Sequence, residues 1–205
     1  MADELPGKVR FQQVYESKAP WETGRPQPAF VAAADRVAGS ILDAGCGTGE
    51  NALFFAQRGH RVTGIDFLEM PIAAARRKAQ QRGLEAAFLV IDALHLDQLP
   101  EQFDTALDSG LFHVFSDSDR ARYVQGLASV VQPSGRLLLL CFSDQEPPGD
   151  GPRRIAREEI DSAFADGWQV ESVAEARFEV RPDLVDFHFS EGGPHAWFCT
   201  IRRTP

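Results

Sequence analysis

The chain has 205 residues, 43% of them hydrophobic, enough for one α/β domain with a core of its own. Its 30 acidic and 21 basic residues give a formal net charge of −9. That balance argues against a nucleic-acid partner, which needs a positive surface to displace counterions from phosphates.

No run of about 18 apolar residues is present, so no membrane span is expected. The N-terminal MADELPGKVRF is charged and lacks the apolar stretch of a signal peptide. Cys46, Cys141 and Cys199 are too few and too scattered for a disulfide framework or a Cys-rich zinc site. A cytoplasmic protein with reduced thiols, monomeric or homodimeric, is the expectation.

Apolar runs and helical patterns then alternate, which predicts a parallel sheet with helices on both faces. Ser40–Asp43 reads as strand one, followed by a helix over 51–58. Arg61–Asp66 reads as strand two, and a helix over 70–82 is stopped by Gly83. Ala87–Ile91, Phe103–Leu107 and Arg136–Phe142 read as strands three to five. Helical spacing covers Ser118–Val131, ended by Pro133 and Gly135. After a Pro/Gly-rich surface loop at Glu146–Pro152, Ala156–Ala165 reads as a helix. Trp168–Val180 and Ala196–Arg202 read as an antiparallel hairpin at the sheet edge.

Strand one runs into Asp43-Ala44-Gly45-Cys46-Gly47-Thr48-Gly49-Glu50. Glycines there permit a sharp turn and a close ligand approach, at the end of a strand where open α/β sheets bind ligands. Dinucleotide-binding loops have the form G-x-G-x-x-G, whereas this loop is G-x-G-x-G with an acid two residues before its first glycine. S-adenosylmethionine (SAM) brings no phosphate but an ammonium, a sulfonium and a ribose diol, all of which favour carboxylates. Asp66, ending strand two, is placed to accept from both ribose hydroxyls. Asp92 in Val90-Ile91-Asp92-Ala93 is placed to accept from the adenine amino group, with Phe67 or Leu68 over the adenine face. Each acid could alternatively cap the helix that follows it. Cys46 reads as a small residue in a tight turn.

With these residues in hand, the chain resembles the class I SAM-dependent methyltransferases. ILDAGCGTGENALFFAQRGHRVTGID looks like that family's opening motif and its ribose-binding acid. The resemblance covers residues 40–145 well and implies a Rossmann-like, mostly parallel sheet of seven strands whose last strand is antiparallel. It implies one domain over 1–205: an N-terminal lid and helix (1–39), a SAM-binding core (40–145), and a C-terminal helix with an edge hairpin (146–205). Pro20-Trp21-Glu22-Thr23-Gly24-Arg25-Pro26-Gln27-Pro28 and Leu107-Asp108-Ser109-Gly110-Leu111-Phe112-His113 look like the thiopurine-methyltransferase-like branch, similar to bacterial heterocyclic-toxin or benzoquinone methyltransferases. In that branch the N-terminal segment folds over the cofactor, and Trp21 matches a tryptophan near SAM.

The implied cofactor contacts are Trp21, Asp43, Gly45, Cys46, Gly47, Gly49, Asp66, Phe67, Asp92, Ala93, Asp108 and Ser109, the last two at the methionine part. Tyr15, Phe112, His113, Phe142 and His188 are expected at the substrate, with Phe115 and His195 as further walls and Phe187 and Phe189 beside His188. His113 is the candidate general base, or else a residue that fixes its loop. The implied reaction transfers a methyl group in line to O, S or N of a small aromatic or heterocyclic molecule and leaves S-adenosylhomocysteine. Acceptance by a thiol-like or inorganic anion, with Arg25 supplying local positive charge, and SAM binding without turnover are the alternatives. His113, His188 and His195 lack the spacing of a metal site, and no metal is expected.

Overall fold

The computed structural model describes residues 8–16, 19–149, 151–183 and 187–205, so of the charged N-terminal MADELPGKVRF the first seven residues lie outside the described part. Two helices precede the sheet, α1 (Lys8–Glu16) and α2 (Pro28–Ala33). Pro28 suits the first turn of α2, where a missing N–H breaks no helical bond. There follow β1 (Ile41–Ala44), α3 (Glu50–Gln57), β2 (Val62–Asp66), α4 (Glu69–Arg82), β3 (Ala87–Val90) and β4 (Phe103–Ser109). The chain continues through α5 (Asp117–Val130), β5 (Val131–Phe142), α6 (Arg157–Ala163), β6 (Trp168–Arg177) and β7 (His195–Arg203).

The strands pair in the order β3-β2-β1-β4-β5-β7-β6. All neighbours from β3 to β5 are parallel, while β7 runs antiparallel to both β5 and β6. The late hairpin is present, with its second strand inserted beside β5 and its first left at the edge. The strand order reverses between β1 and β4, and their C-terminal ends flank the switch point at which such sheets hold ligands.

Side chains alternate across the sheet, so one apolar run feeds two cores. Leu137 and Leu139 join Leu42, Tyr123, Leu127 and Ile160 on the face covered by α5 and α6. Leu138 and Leu140 join Ile41, Phe30, Leu53 and Ile72 on the face covered by α2, α3 and α4. No described helix is long and apolar enough to cross a membrane.

Several boundaries differ from expectation. Helix α5 begins at Asp117 because the Ser116 hydroxyl caps it by accepting from the Asp119 N–H at 3.2 Å. It then passes directly into β5 at Val131, so Pro133 and Gly135 mark an irregularity within a strand and not a loop. Proline cannot donate to a ladder and is tolerated where pairing is interrupted; here the register with β4 shifts between Phe103 and Thr105. Strand β6 stops at Arg177, three residues before the expected end.

Candidate active site

The turn after β1 is built from left-handed glycines, with φ of +67° at Gly45, +54° at Gly47 and +84° at Gly49. A Cβ at position 47 would stand 2.9 Å from the Tyr15 hydroxyl, and one at position 49 would stand 2.9 Å from the Phe88 ring. The turn is tied to β2 by Cys46 N–H donating to the Ile65 carbonyl at 2.8 Å and by Gly47 N–H donating to Asp66 Oδ2 at 3.2 Å. Cys46 packs its sulfur where a Cβ on Gly64 would be, 2.9 Å away. Burial, with the Asp43 and Asp66 carboxylates nearby, pushes its thiol pKa well up.

Three acids end strands around this turn. Asp43 accepts from the Ala52 N–H at 3.1 Å, Asp66 from the Leu68 N–H at 3.0 Å, and Asp108 from the Leu111 N–H at 2.8 Å and from the Phe112 N–H. Burial raises their pKa values to about 7, about 6 and about 6, and the negative neighbours Asp108 and Asp66 push Asp43 further up. None of the three has an ion-pair partner among the described residues. Buried carboxylates without an ion-pair partner, beside a glycine turn, suit a cationic ligand without phosphate, so the donor set fits SAM. Asp92 differs: it is exposed and caps the turn Ala93–Gln98 by accepting from the Leu94 N–H at 2.9 Å. Ala93 is buried behind it, and Ser109 is half-buried at the end of β4.

The N-terminal segment lies across the turn. Tyr15 rests on Gly47, Trp21 packs edge-on to Tyr15 at 5.7 Å, and Phe11 bridges Trp21 to Phe67. The Glu22 carboxylate accepts from the Thr48 hydroxyl, which also accepts from Lys78 Nζ at 2.6 Å. Trp21 keeps 39% of its surface exposed. Tyr15 therefore sits over the glycine turn.

Beyond β4 and β5 lies an aromatic cluster. The His113 ring is 5.0 Å from Phe142 and 5.8 Å from Phe178, Phe178 is 5.2 Å from Phe142, and Phe189 meets Phe142 edge-on. The Arg154 guanidinium lies 5.5 Å above the Phe142 ring. His113 Nδ1 accepts from the Phe142 N–H at 2.9 Å, which places the ring proton on Nε2, toward Gly110. Burial, helped by Arg154 and Arg120, lowers the His113 pKa to about 3.

Several expected positions fall elsewhere. Phe112 is fully buried against Phe164 and Arg120, and Phe115 is buried against Tyr123, so both are core. They follow β4 on the face opposite Phe142. His188 is exposed, and Arg25 is engaged by Glu179. His195 opens β7, its N–H donating to Glu146 Oε2 at 2.9 Å. Glu146 is itself buried and also holds the Ser190 N–H, so the expected surface loop carries an anchor. Phe178, which no motif marks, is an aromatic directly after β6, a strand that ends on the same rim as β4 and β5. Among the described residues no three His, Cys, Asp or Glu side chains gather as a metal would need.

Comparison with known proteins bears on this arrangement. Residues 41–135 match a methyltransferase domain family. The 2-heptyl-1-hydroxyquinolin-4(1H)-one methyltransferase of Mycobacteroides abscessus is 32% identical over 86% of this chain and 78% of its own length. A structure determined for the conversion of a disulfide bond into a thioacetal group during echinomycin biosynthesis is 35% identical, with a TM-score of 0.82 over 95% of this chain and 91% of that one. The 1,6-didemethyltoxoflavin-N1-methyltransferase of Burkholderia thailandensis, 24% identical with a TM-score of 0.68 over 96% of this chain and 84% of that one, shares the fold.

Proposed function

Because the chain belongs to the SAM-dependent small-molecule methyltransferases, we propose that its acceptor is a planar aromatic or heterocyclic molecule bearing an acidic hydroxyl, thiol or ring nitrogen. The observation that carries this reading is the cluster of Phe142, Phe178, Phe189 and His113 at the C-terminal rim, with the Arg154 guanidinium above Phe142. Aromatic walls favour a planar ring, and a nearby guanidinium favours the ionised form of its substituent. The relative from Mycobacteroides abscessus, which is named for a hydroxyquinolinone, supports the same class.

When bound, SAM supplies a methyl group on a positively charged sulfonium, a leaving group that needs no acid. We assign Asp66 to the ribose hydroxyls, Asp43 and Asp108 to the positive charge of the methionine half, and the backbone of 45–49 and Ser109 to its close contacts. Phe67, Trp21 and Ala93 flank the nucleoside, with Asp92 at its outer edge. Tyr15 and Trp21 close the turn against water. The chain's main contribution is orientation, which in well-aligned systems is worth about 7–11 kcal/mol.

His113 is not assigned as a general base. Its Nδ1 already holds the Phe142 N–H, and its pKa near 3 makes it a poor proton acceptor. We assign it a positioning role, with Nε2–H as a donor toward an acceptor anion. The acceptor must then ionise without help, which selects acidic phenols, hydroxyheterocycles and thiols. Incubating phenols, hydroxyquinolines, thiols and thiopurines with SAM, and reading S-adenosylhomocysteine, tests this. Turnover should follow acceptor acidity among planar rings, and activity confined to non-aromatic substrates would refute it.

A further inference from the structure

A groove of about 360 Å³ lies beside the aromatic cluster, lined by Pro28, Ala29, Ala176, Arg177, Phe178, Glu179 and Gly192. Phe178 is shared: it walls the groove while packing 5.8 Å from His113 and 5.2 Å from Phe142. Two polar side chains of this lining are held by neighbours. The Arg177 guanidinium donates to the Glu191 carbonyl at 3.1 Å and to the Gly193 carbonyl at 2.7 Å. Glu179 pairs through its carboxylate with Arg25 and through its backbone with the Gln27 amide. Beside them the groove presents the apolar surface of Pro28, Ala29 and Ala176 and an edge of Phe178.

From this we infer that the groove is a subsite for a saturated alkyl tail, carried by an acceptor whose aromatic head lies on the other side of Phe178. The inference rests on the aromatic-acceptor reading and adds the second half of the substrate. A saturated tail matches the proline, alanine and phenylalanine carbons of this lining, where a polar tail would lose water without gaining a hydrogen bond from them. Each methylene removed from water is worth about 0.8 kcal/mol, or about a four-fold gain in affinity, until the tail outgrows the groove.

The test is calorimetric binding of 4-hydroxyquinoline and its 2-methyl, 2-butyl and 2-heptyl derivatives to the whole protein loaded with S-adenosylhomocysteine. The dissociation constant should fall about three- to four-fold per added methylene across the early members. Ala29→Phe and Ala176→Phe, which fill the groove from two elements, should flatten the series while leaving the bare head's affinity unchanged. A flat series in the native chain overturns the proposal, as does a slope that survives both substitutions, or no binding by any member. Methylation of the unsubstituted head is scored separately: turnover with a flat series removes the tail subsite but leaves the aromatic-acceptor reading standing.

Discussion

The side-chain amide of Gln27 closes two hydrogen bonds on the backbone of Glu179, donating to its carbonyl at 2.9 Å and accepting from its N–H at 2.8 Å. Arg181 N–H adds a bond to the Pro20 carbonyl at 3.0 Å. The same N-terminal segment reaches the glycine turn through Glu22 and Thr48. One strap thus joins the glycine turn to the chain beyond β6, where Phe178 stands.

Gln27→Ala should therefore loosen both halves at once. Removing one partner from two partly buried bonds costs about 1–3 kcal/mol, read as a fall in the thermal midpoint. Affinity for SAM and KM for the acceptor should both worsen. A change in one alone would mean the strap does not couple them.

Asp66 is placed where β2 delivers a carboxylate beside Gly47. Asp66→Ala should weaken SAM binding about ten- to 150-fold, matching about 1.5–3 kcal/mol for hydrogen bonds to a charged group. Asp66→Asn, which can still accept from the Leu68 N–H, separates that loss from a collapse of the turn. Calorimetry on folded protein measures both, and unchanged affinity would remove the ribose assignment.

The parts of this site legible from sequence are those whose chemistry is local. Asp43 through Gly49 form one continuous turn, and Asp66 ends the next strand, so spacing alone places them. Gln27 and Glu179 are 152 positions apart, and Glu146 finds Ser190 and His195 only after β7 has inserted beside β5. Periodicity carries no record of such pairings. Phe112 and Phe142 look alike as aromatics near strand ends, yet the alternation of faces sends Phe112 to the core under α5 and α6 and Phe142 to the core on the other face, where it meets His113 and Phe178.

The raised acids predict that SAM binding releases protons. A cationic ligand lowers the pKa of nearby carboxylates, and those of Asp43, Asp66 and Asp108 stand at about 7, about 6 and about 6 beforehand. Affinity should rise with pH between about 5 and 7 and flatten above. Without ligand the sign reverses for these groups: the native state holds more protons than the unfolded one between about 4 and 7, so they lower stability as pH rises. His113 works oppositely from about 3 to its ordinary 6.5. The clean comparison is Asp43→Asn, whose stability relative to the native chain should climb from pH 4 to 7 and then hold constant. A difference that does not vary with pH would show that Asp43 titrates at its ordinary value.

His113 supplies the last prediction, because its two nitrogens separate a base from a positioning group. If it were the base, kcat/KM would carry an inflection belonging to His113, and His113→Ala would harm weakly acidic phenols far more than thiols. With Nδ1 holding the Phe142 N–H and a pKa near 3, the pH profile should instead track the acceptor's own ionisation, with no inflection near 6.5. Losses in His113→Ala should be similar for phenols and thiols. His113→Asn, whose Oδ1 is available to accept from Phe142, should recover part of the about 1–3 kcal/mol lost when that buried N–H is left unpaired, without restoring the rate. Rates measured from pH 5 to 9 with one phenol and one thiol decide between the two roles, and a profile that moves with the residue and not with the acceptor would return His113 to proton transfer.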